Sequence, residues 1–98
     1  MDKIPHSRAA DVVAKQIIRS GTSIGANYRA ACRAKSTPDM INKMKIVEEE
    51  SDETMYWLEI LVETGITPQE QIQDIYKETN EILAMTVASL IANLDRQS

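Results

Sequence analysis

The stretch IVEEESDETMYWLEIL, residues 46–61, sets five acids between two apolar runs. At about 100° per residue, Val47, Ser51, Met55 and Leu58 fall on one side, continued by Met40 and Met44 before them and Val62 after. Spacings of three and four mark a helix with one face on a core. The acids from Glu48 to Glu53 span almost two turns, so they cannot share a direction. Glu48 and Asp52 project together beside the apolar stripe, with Glu59 further along. Glu49 and Glu53 project to another side, with Glu50 next to them, and Ile46, Trp57 and Ile60 lie on that side as well. A helix that is apolar on one side and mixed apolar–acidic on another is expected to pack on both, with the acids at the rim of the second contact. Ile46, Glu49, Glu53, Trp57 and Ile60 are therefore candidate oligomer-interface residues.

Outward from this segment the chain reads as one all-α domain over residues 1–98, with helices at about 7–35, 38–64 and 68–94. Ser7 is placed to cap the first helix. STPD, residues 36–39, opens the second, with Thr37 as cap and Pro38 at the first helical position, where a missing N–H costs nothing. Gly65 closes the second helix as a left-handed residue. TPQE, residues 67–70, repeats the start signal, with Thr67 as cap and Glu70 completing a capping box. Two short connections between helices of similar length predict an antiparallel, up-and-down helical bundle.

The expected apolar stripe of the first helix is Ala10, Val13, Ile17, Gly21, Ile24, Tyr28 and Ala31. That of the third is Ile72, Ile75, Tyr76, Thr79, Leu83, Thr86, Leu90 and Leu94. Gly21 and Gly25 each cost roughly 1 kcal/mol against Ala inside a helix. Their spacing of four suits the close approach of another backbone, which adds both to the candidate interface. Opposite the stripe, the first helix carries Arg8, Lys15, Arg19, Arg29 and Arg33, with Asp11 among them. This basic line is either a solvated face, a counterpart for acids of another helix or chain, or a candidate nucleic-acid contact.

Composition narrows the function classes. The net charge of −4 hides an asymmetry: residues 1–46 carry nine basic and three acidic residues, and residues 47–98 carry two basic and twelve acidic ones. Such polarity bears on partners and self-association more than on fold. No run approaches the roughly 18 apolar residues of a membrane span. The start lacks the apolar segment of a signal peptide. One cysteine forms no disulfide within the chain. These features together point to the cytoplasm. A chain this short buries a limited core, which oligomerisation commonly supplements.

The sharpest catalytic pattern is EExxE at Glu49-Glu50-Ser51-Asp52-Glu53. It resembles the all-α nucleoside triphosphate pyrophosphohydrolases, in which carboxylates at helical spacing hold Mg²⁺. Its second half here would be Glu78-Thr79-Asn80-Glu81, with Glu in place of the expected Asp and Lys77 as the one nearby cation. A bundle di-iron centre would need Glu-x-x-His motifs, and the single histidine, His6, precedes the first helix. Cys32 has no partner histidine and reads as a small core or interface residue. No metal ligand, cofactor or catalytic residue is assigned.

Ser20-Gly21-Thr22-Ser23-Ile24-Gly25-Ala26-Asn27-Tyr28-Arg29 and Glu49-Glu50-Ser51-Asp52-Glu53-Thr54-Met55-Tyr56-Trp57-Leu58-Glu59 resemble the small four-helix-bundle proteins encoded in intervening sequences of bacterial 23S rRNA genes. That family includes the accessory variability determinant of diversity-generating retroelements, and the likeness covers roughly Ser7 to Leu94. It implies an antiparallel bundle, a ring-like homopentamer and no catalytic residues. The basic retroelement members bind nucleic acid. The family's usual first helix, which precedes the segment beginning here at Ser7, is missing, and the resemblance then implies an apolar groove to be filled by a neighbour. The acidic net charge departs from the basic relatives and leaves only the first-helix stripe for nucleic acid. The expectation is a non-enzymatic, cytoplasmic homo-oligomer with a scaffold or nucleic-acid role.

Overall fold

The computed structural model describes the backbone of residues 8–97 and the side chains of residues 8–94. It is all-helical: α1 (Arg8–Cys32), α2 (Thr37–Glu63) and α3 (Gln69–Gln97). There is no strand among the described residues. The assembly of helices is long and thin, 55 × 19 × 16 Å.

The ends of the helices follow from local chemistry, with shifts from the sequence reading. α1 stops at Cys32, three residues short of the expected Lys35. Its last turn tightens there, with Arg33 N–H donating to Ala30 O and Ala34 N–H to Ala31 O, each at 3.2 Å. The cap of α2 is Ser36, not Thr37. Ser36 is extended, and its Oγ accepts from the Asp39 N–H at 3.2 Å. Asp39 in turn accepts from the Lys35 N–H at 3.3 Å. Together these satisfy two backbone donors and set a negative charge where the helix dipole favours it. Gly65 ends α2 as expected, at φ +77°, a conformation that disfavours any side chain. α3 starts at Gln69, just beyond Pro68, rather than at Pro68 itself. The proposed cap Ser7 lies outside the described residues, as does His6.

α2 is the middle of the fold. It packs against both α1 and α3, while α1 and α3 make no close backbone approach to each other. Its buried positions are Ile41, Met44, Val47, Ser51, Thr54 and Leu58. α1 contributes Ala10, Val13, Ser20, Ile24 and Ala31, and α3 contributes Thr79, Thr86 and Leu90. Ala31, Ile41, Met44 and Leu90 form one cluster drawn from all three helices, with Met40 against it. Burying a side chain such as Leu58 stabilises the fold by about 1.5–3 kcal/mol.

Several stripe positions depart from expectation. Gly21 and Tyr28 of α1 are exposed, and Ser20 takes the buried place beside α2. In α2, Ile41 and Thr54 are buried although the periodicity did not single them out. In α3, Ile75 and Leu94 are exposed. Cys32, expected in a core or interface, is exposed as well. The reason is the packing order: α1 and α3 each meet one neighbour and bury a narrower band, whereas α2 meets both and buries a wider one that takes in Ile41 and Thr54.

Candidate functional site

The α1–α2 seam is closed by a polar network. Arg19 donates to Glu50 Oε1 and Oε2 at 3.3 and 3.2 Å, and its second terminal nitrogen pairs with Glu53. Gln16 Oε1 accepts from Arg19 Nε at 3.1 Å. Ser23 Oγ donates to Glu50 at 3.3 Å, and Trp57 Nε1 donates to Glu53 at 3.1 Å. The hydrogen bond from Trp57, followed by that from Arg19, holds the Glu53 carboxyl below the ordinary glutamate range. The same carboxylates, Glu53 foremost and then Glu50, push the Arg19 guanidinium up. Beneath this layer Ser20 Oγ and Thr54 Oγ1 lie 2.7 Å apart, fully enclosed. Each hydroxyl also reaches a carbonyl of its own helix, Thr54 Oγ1 donating to Glu50 O at 2.8 Å and Ser20 Oγ to Ile17 O at 3.4 Å, so either can supply the proton shared between them. Ser51, also fully buried, has no hydrogen-bond partner for its Oγ. Such a group carries an uncompensated desolvation cost of about 1–3 kcal/mol.

The acids of EEESDE therefore divide. Glu50 and Glu53 belong to the seam within the chain. Glu49 is exposed on the back of α2, and Asp52 is exposed on another side. Glu50 and Glu53 are held by a guanidinium, and among the described residues no group of three or more His, Cys, Asp or Glu side chains converges as metal ligands would. The EExxE pattern thus does not assemble into the carboxylate cluster that Mg²⁺ chemistry needs.

The expected interface residues do not share one face. On α2, Glu49 and Ile60 lie about half a turn from the buried line Val47–Ser51–Leu58, while Ile46, Glu53 and Trp57 stand nearer the α1 seam, where Glu53 pairs with Arg19 and accepts from Trp57. Ile46, Trp57 and Ile60 are half-buried, and Tyr56, which sequence reasoning passed over, is 53 % exposed. Its ring meets that of Trp57 edge-on, with centroids 5.0 Å apart. Gly21 and Gly25 are on another face, beside an open groove between α1 and α3. A cavity of about 300 Å³ in this groove is lined by Ile24, Gly25, Tyr28, Met44, Ile82 and Met85, together with Thr86 and Ser89. Among the described residues, and apart from the neighbouring backbone of α1 itself, no atom lies within 4 Å of where a Cβ would stand on either glycine. The close approach expected at Gly21 and Gly25 is thus not made by α2 or α3.

The basic stripe is also divided. Arg8, Lys15, Arg29 and Arg33 are exposed and engage no acid among the described residues. Arg19 is committed to the seam and does not belong with them. The signal that could have separated it is its register: it stands one residue from buried Ser20, on the edge of the packed band. A second, shallower cleft lies between the end of α2 and the start of α3. There Tyr76 donates to Glu59 at 2.7 Å beside Val62 and Ile72. That hydrogen bond to a carboxylate, with partial burial, raises the Tyr76 hydroxyl above its ordinary value. None of the helices among the described residues is long and apolar enough to cross a membrane.

The family model described as 23S rRNA-intervening sequence protein matches residues 1–88. Among solved structures, the chain is similar to a protein of unknown function from the S23 ribosomal protein family of Bacteroides thetaiotaomicron VPI-5482. The identity is 46 %, with 81 % of this chain and 73 % of that chain covered, and the TM-score is 0.77. No curated protein matches. The two stretches that carry the resemblance, around Gly21–Gly25 and Glu49–Glu59, lie within the matched region and supply the groove wall, the seam and the back of α2. The chain belongs to the 23S rRNA-intervening sequence protein family.

Proposed function

We propose that the protein acts by assembling: a non-enzymatic, cytoplasmic homo-oligomer of antiparallel, up-and-down helical-bundle subunits that serves as a scaffold. The observation that carries this reading is the amount of apolar surface left uncovered by the chain itself. Val12, Ile18, Tyr28, Tyr56, Ile75, Met85, Ile91 and Leu94 are 45–65 % exposed. Among the described residues nine hydrophobic ones are buried, so the exposed set rivals the core in number. Apolar surface on this scale is expected to mark a contact with another molecule. The resemblance to ring-forming relatives makes a pentamer the expected number. Light scattering on a size-exclusion column tests the reading. A mass near five chains is expected, any multimer supports assembly, and a monomer at tens of micromolar overturns it.

A nucleic-acid role rests on a separate observation, the four α1 cations that engage no acid among the described residues. Arg8, Lys15, Arg29 and Arg33 are disposed for phosphates rather than for base reading, so binding should be insensitive to sequence and steeply salt-dependent. Titration of a single-stranded RNA at 50 and 200 mM salt checks this. Loss of at least tenfold in affinity is expected at the higher salt. No binding at 50 mM would remove this role and leave the scaffold.

A further inference from the structure

Where the end of α2 meets the start of α3, the seam opens into a cleft of about 300 Å³. Its α2 wall carries Glu59, Val62 and Glu63, and its α3 wall carries Ile72 and Tyr76. Glu59 and Glu63 are both exposed. They stand one turn apart on the same side of α2, which sets their Cβ atoms about 5–6 Å from each other. The Tyr76 hydroxyl donates to one oxygen of Glu59 at 2.7 Å. That bond orients the carboxylate and leaves its other oxygen open. Unlike Glu50, Glu53 and Asp39, which face Arg19 or Lys43, these two carboxylates have no cation beside them among the residues that line the cleft. The remaining rim, Gln69 and Gln73, is neutral. Lys77 follows Tyr76 but stands about 100° round the helix from it. The cleft is therefore electronegative. The Tyr76 hydroxyl registers this: it is raised first by its hydrogen bond to Glu59, then by burial, and further by the charges of Glu59 and Asp52.

We propose that this cleft binds a short aliphatic diamine, the chemical class of putrescine. Two ammonium groups meet the two carboxylates, one at Glu59 and one at Glu63. The methylenes between them lie on half-buried Val62 and Ile72. Each ammonium has three donors and no acceptor, and the side-chain carbonyls of Gln69 and Gln73 are at the rim to accept those that the carboxylates leave over. The arrangement selects against other ligands. An anion is repelled by both carboxylates. Mg²⁺ needs several oxygens converging at one short distance, and no such group of three or more acidic side chains forms among the described residues. A single ammonium pairs with one carboxylate and leaves the other alone. Linking two cations makes the second contact intramolecular, which raises affinity without any new kind of contact. The site lies outside the α1–α2 seam and needs no second copy of the chain.

Titration of the full chain with putrescine at constant ionic strength tests this, read by the methyl signals of Val62 and Ile72 and the ring signals of Tyr76 in nuclear magnetic resonance spectra. These signals should shift together and saturate. Butylamine, with the same stem and one charge, should bind at least tenfold more weakly. Glu63→Gln should weaken putrescine at least fivefold, and its exposed position keeps the helical circular dichroism unchanged. Glu49→Gln removes the same charge from the back of α2 and should leave the titration as it is, which separates a site from general attraction to an acidic protein. Should Glu63→Gln lose helicity, Gln73→Glu replaces it: a third carboxylate at the rim should tighten putrescine. The proposal is overturned by the absence of any shift at tens of millimolar putrescine, or by equal binding of butylamine, which would make the cleft a seat for a lone lysine-like side chain. It is overturned as well by equal weakening in Glu63→Gln and Glu49→Gln.

Discussion

α1 has two sides that run the length of the molecule, and the structure treats them differently. On the side toward α2, Ser20, Ser23 and Arg19 meet Thr54, Glu50 and Glu53 across a sealed seam. On the side toward α3, Gly21, Gly25 and Tyr28 face space that no described residue fills. The two sides are adjacent in sequence: Ser20 is fully buried and Gly21, the next residue, is exposed. The sealed side is small and polar, the open side small and apolar. Small residues therefore serve two purposes on one helix. Ser20 is small because Thr54 is already against it. Gly21 and Gly25 are small although nothing among the described residues of α2 or α3 requires it.

That contrast can be broken experimentally, and the largest effect is expected beneath the packed side. Leu58→Ala removes a side chain that is 3 % exposed and should cost about 2–5 kcal/mol. Met85→Ala, at 63 % exposure on the groove wall, should cost less than about 1 kcal/mol in the dissociated chain. Urea denaturation below the association concentration measures both, and equal losses would show that the groove is closed in solution. A sharper comparison uses enlargement at neighbouring small residues. Ser20→Leu forces three extra carbons into the seam and should destabilise by about 1–3 kcal/mol. At Gly25→Leu the added Cβ meets nothing among the described residues outside α1's own backbone, and glycine is traded for a good helix former, so folding stability should hold or rise by up to about 1 kcal/mol. A fall in the melting point of dissociated Gly25→Leu would refute the open-side description.

The smallest expected effect concerns pH. Glu53 is held below the ordinary glutamate range by Trp57 and Arg19. A carboxyl depressed in the folded state contributes stability that is fully present above its unfolded value, near 4.3. The contribution is lost as pH falls through the lower folded value. The Arg19 and Glu53 side chains are 47 and 38 % exposed, so solvent screening keeps the effect modest. Comparing acid titrations of the unaltered chain and Glu53→Gln by Trp57 fluorescence isolates it. The variant should lose the part of the acid transition that lies below the glutamate range, while stability near neutral pH falls slightly.

Much of this architecture could be read locally. Pro38, Gly65 and Pro68 punctuate the chain within a few residues of the observed boundaries, because proline and glycine act on their own backbone and need no tertiary partner. The apolar line of α2 was legible for the same reason: Met44, Val47, Ser51 and Leu58 recur at helical spacing and all are buried. The role of Arg19 was not. It sits in a run of cations that look equivalent, and only the approach of Glu50 and Glu53, 31 and 34 residues away, distinguishes it from Arg29 or Arg33. The buried polar pair Ser20–Thr54 was hidden likewise, since neither residue signals its partner.

The sequence by itself determined three helices, their breaks, the buried line of α2 and the separation of basic and acidic halves, since periodicity, caps and charge are properties of short segments. Tertiary structure decided which side of α1 is sealed, which acids of EEESDE are engaged, and that both glycines face open space. A helical period specifies that a face exists but not which helix will cover it. That depends on how α1 and α3 sit on α2, and so on contacts between residues far apart in the chain.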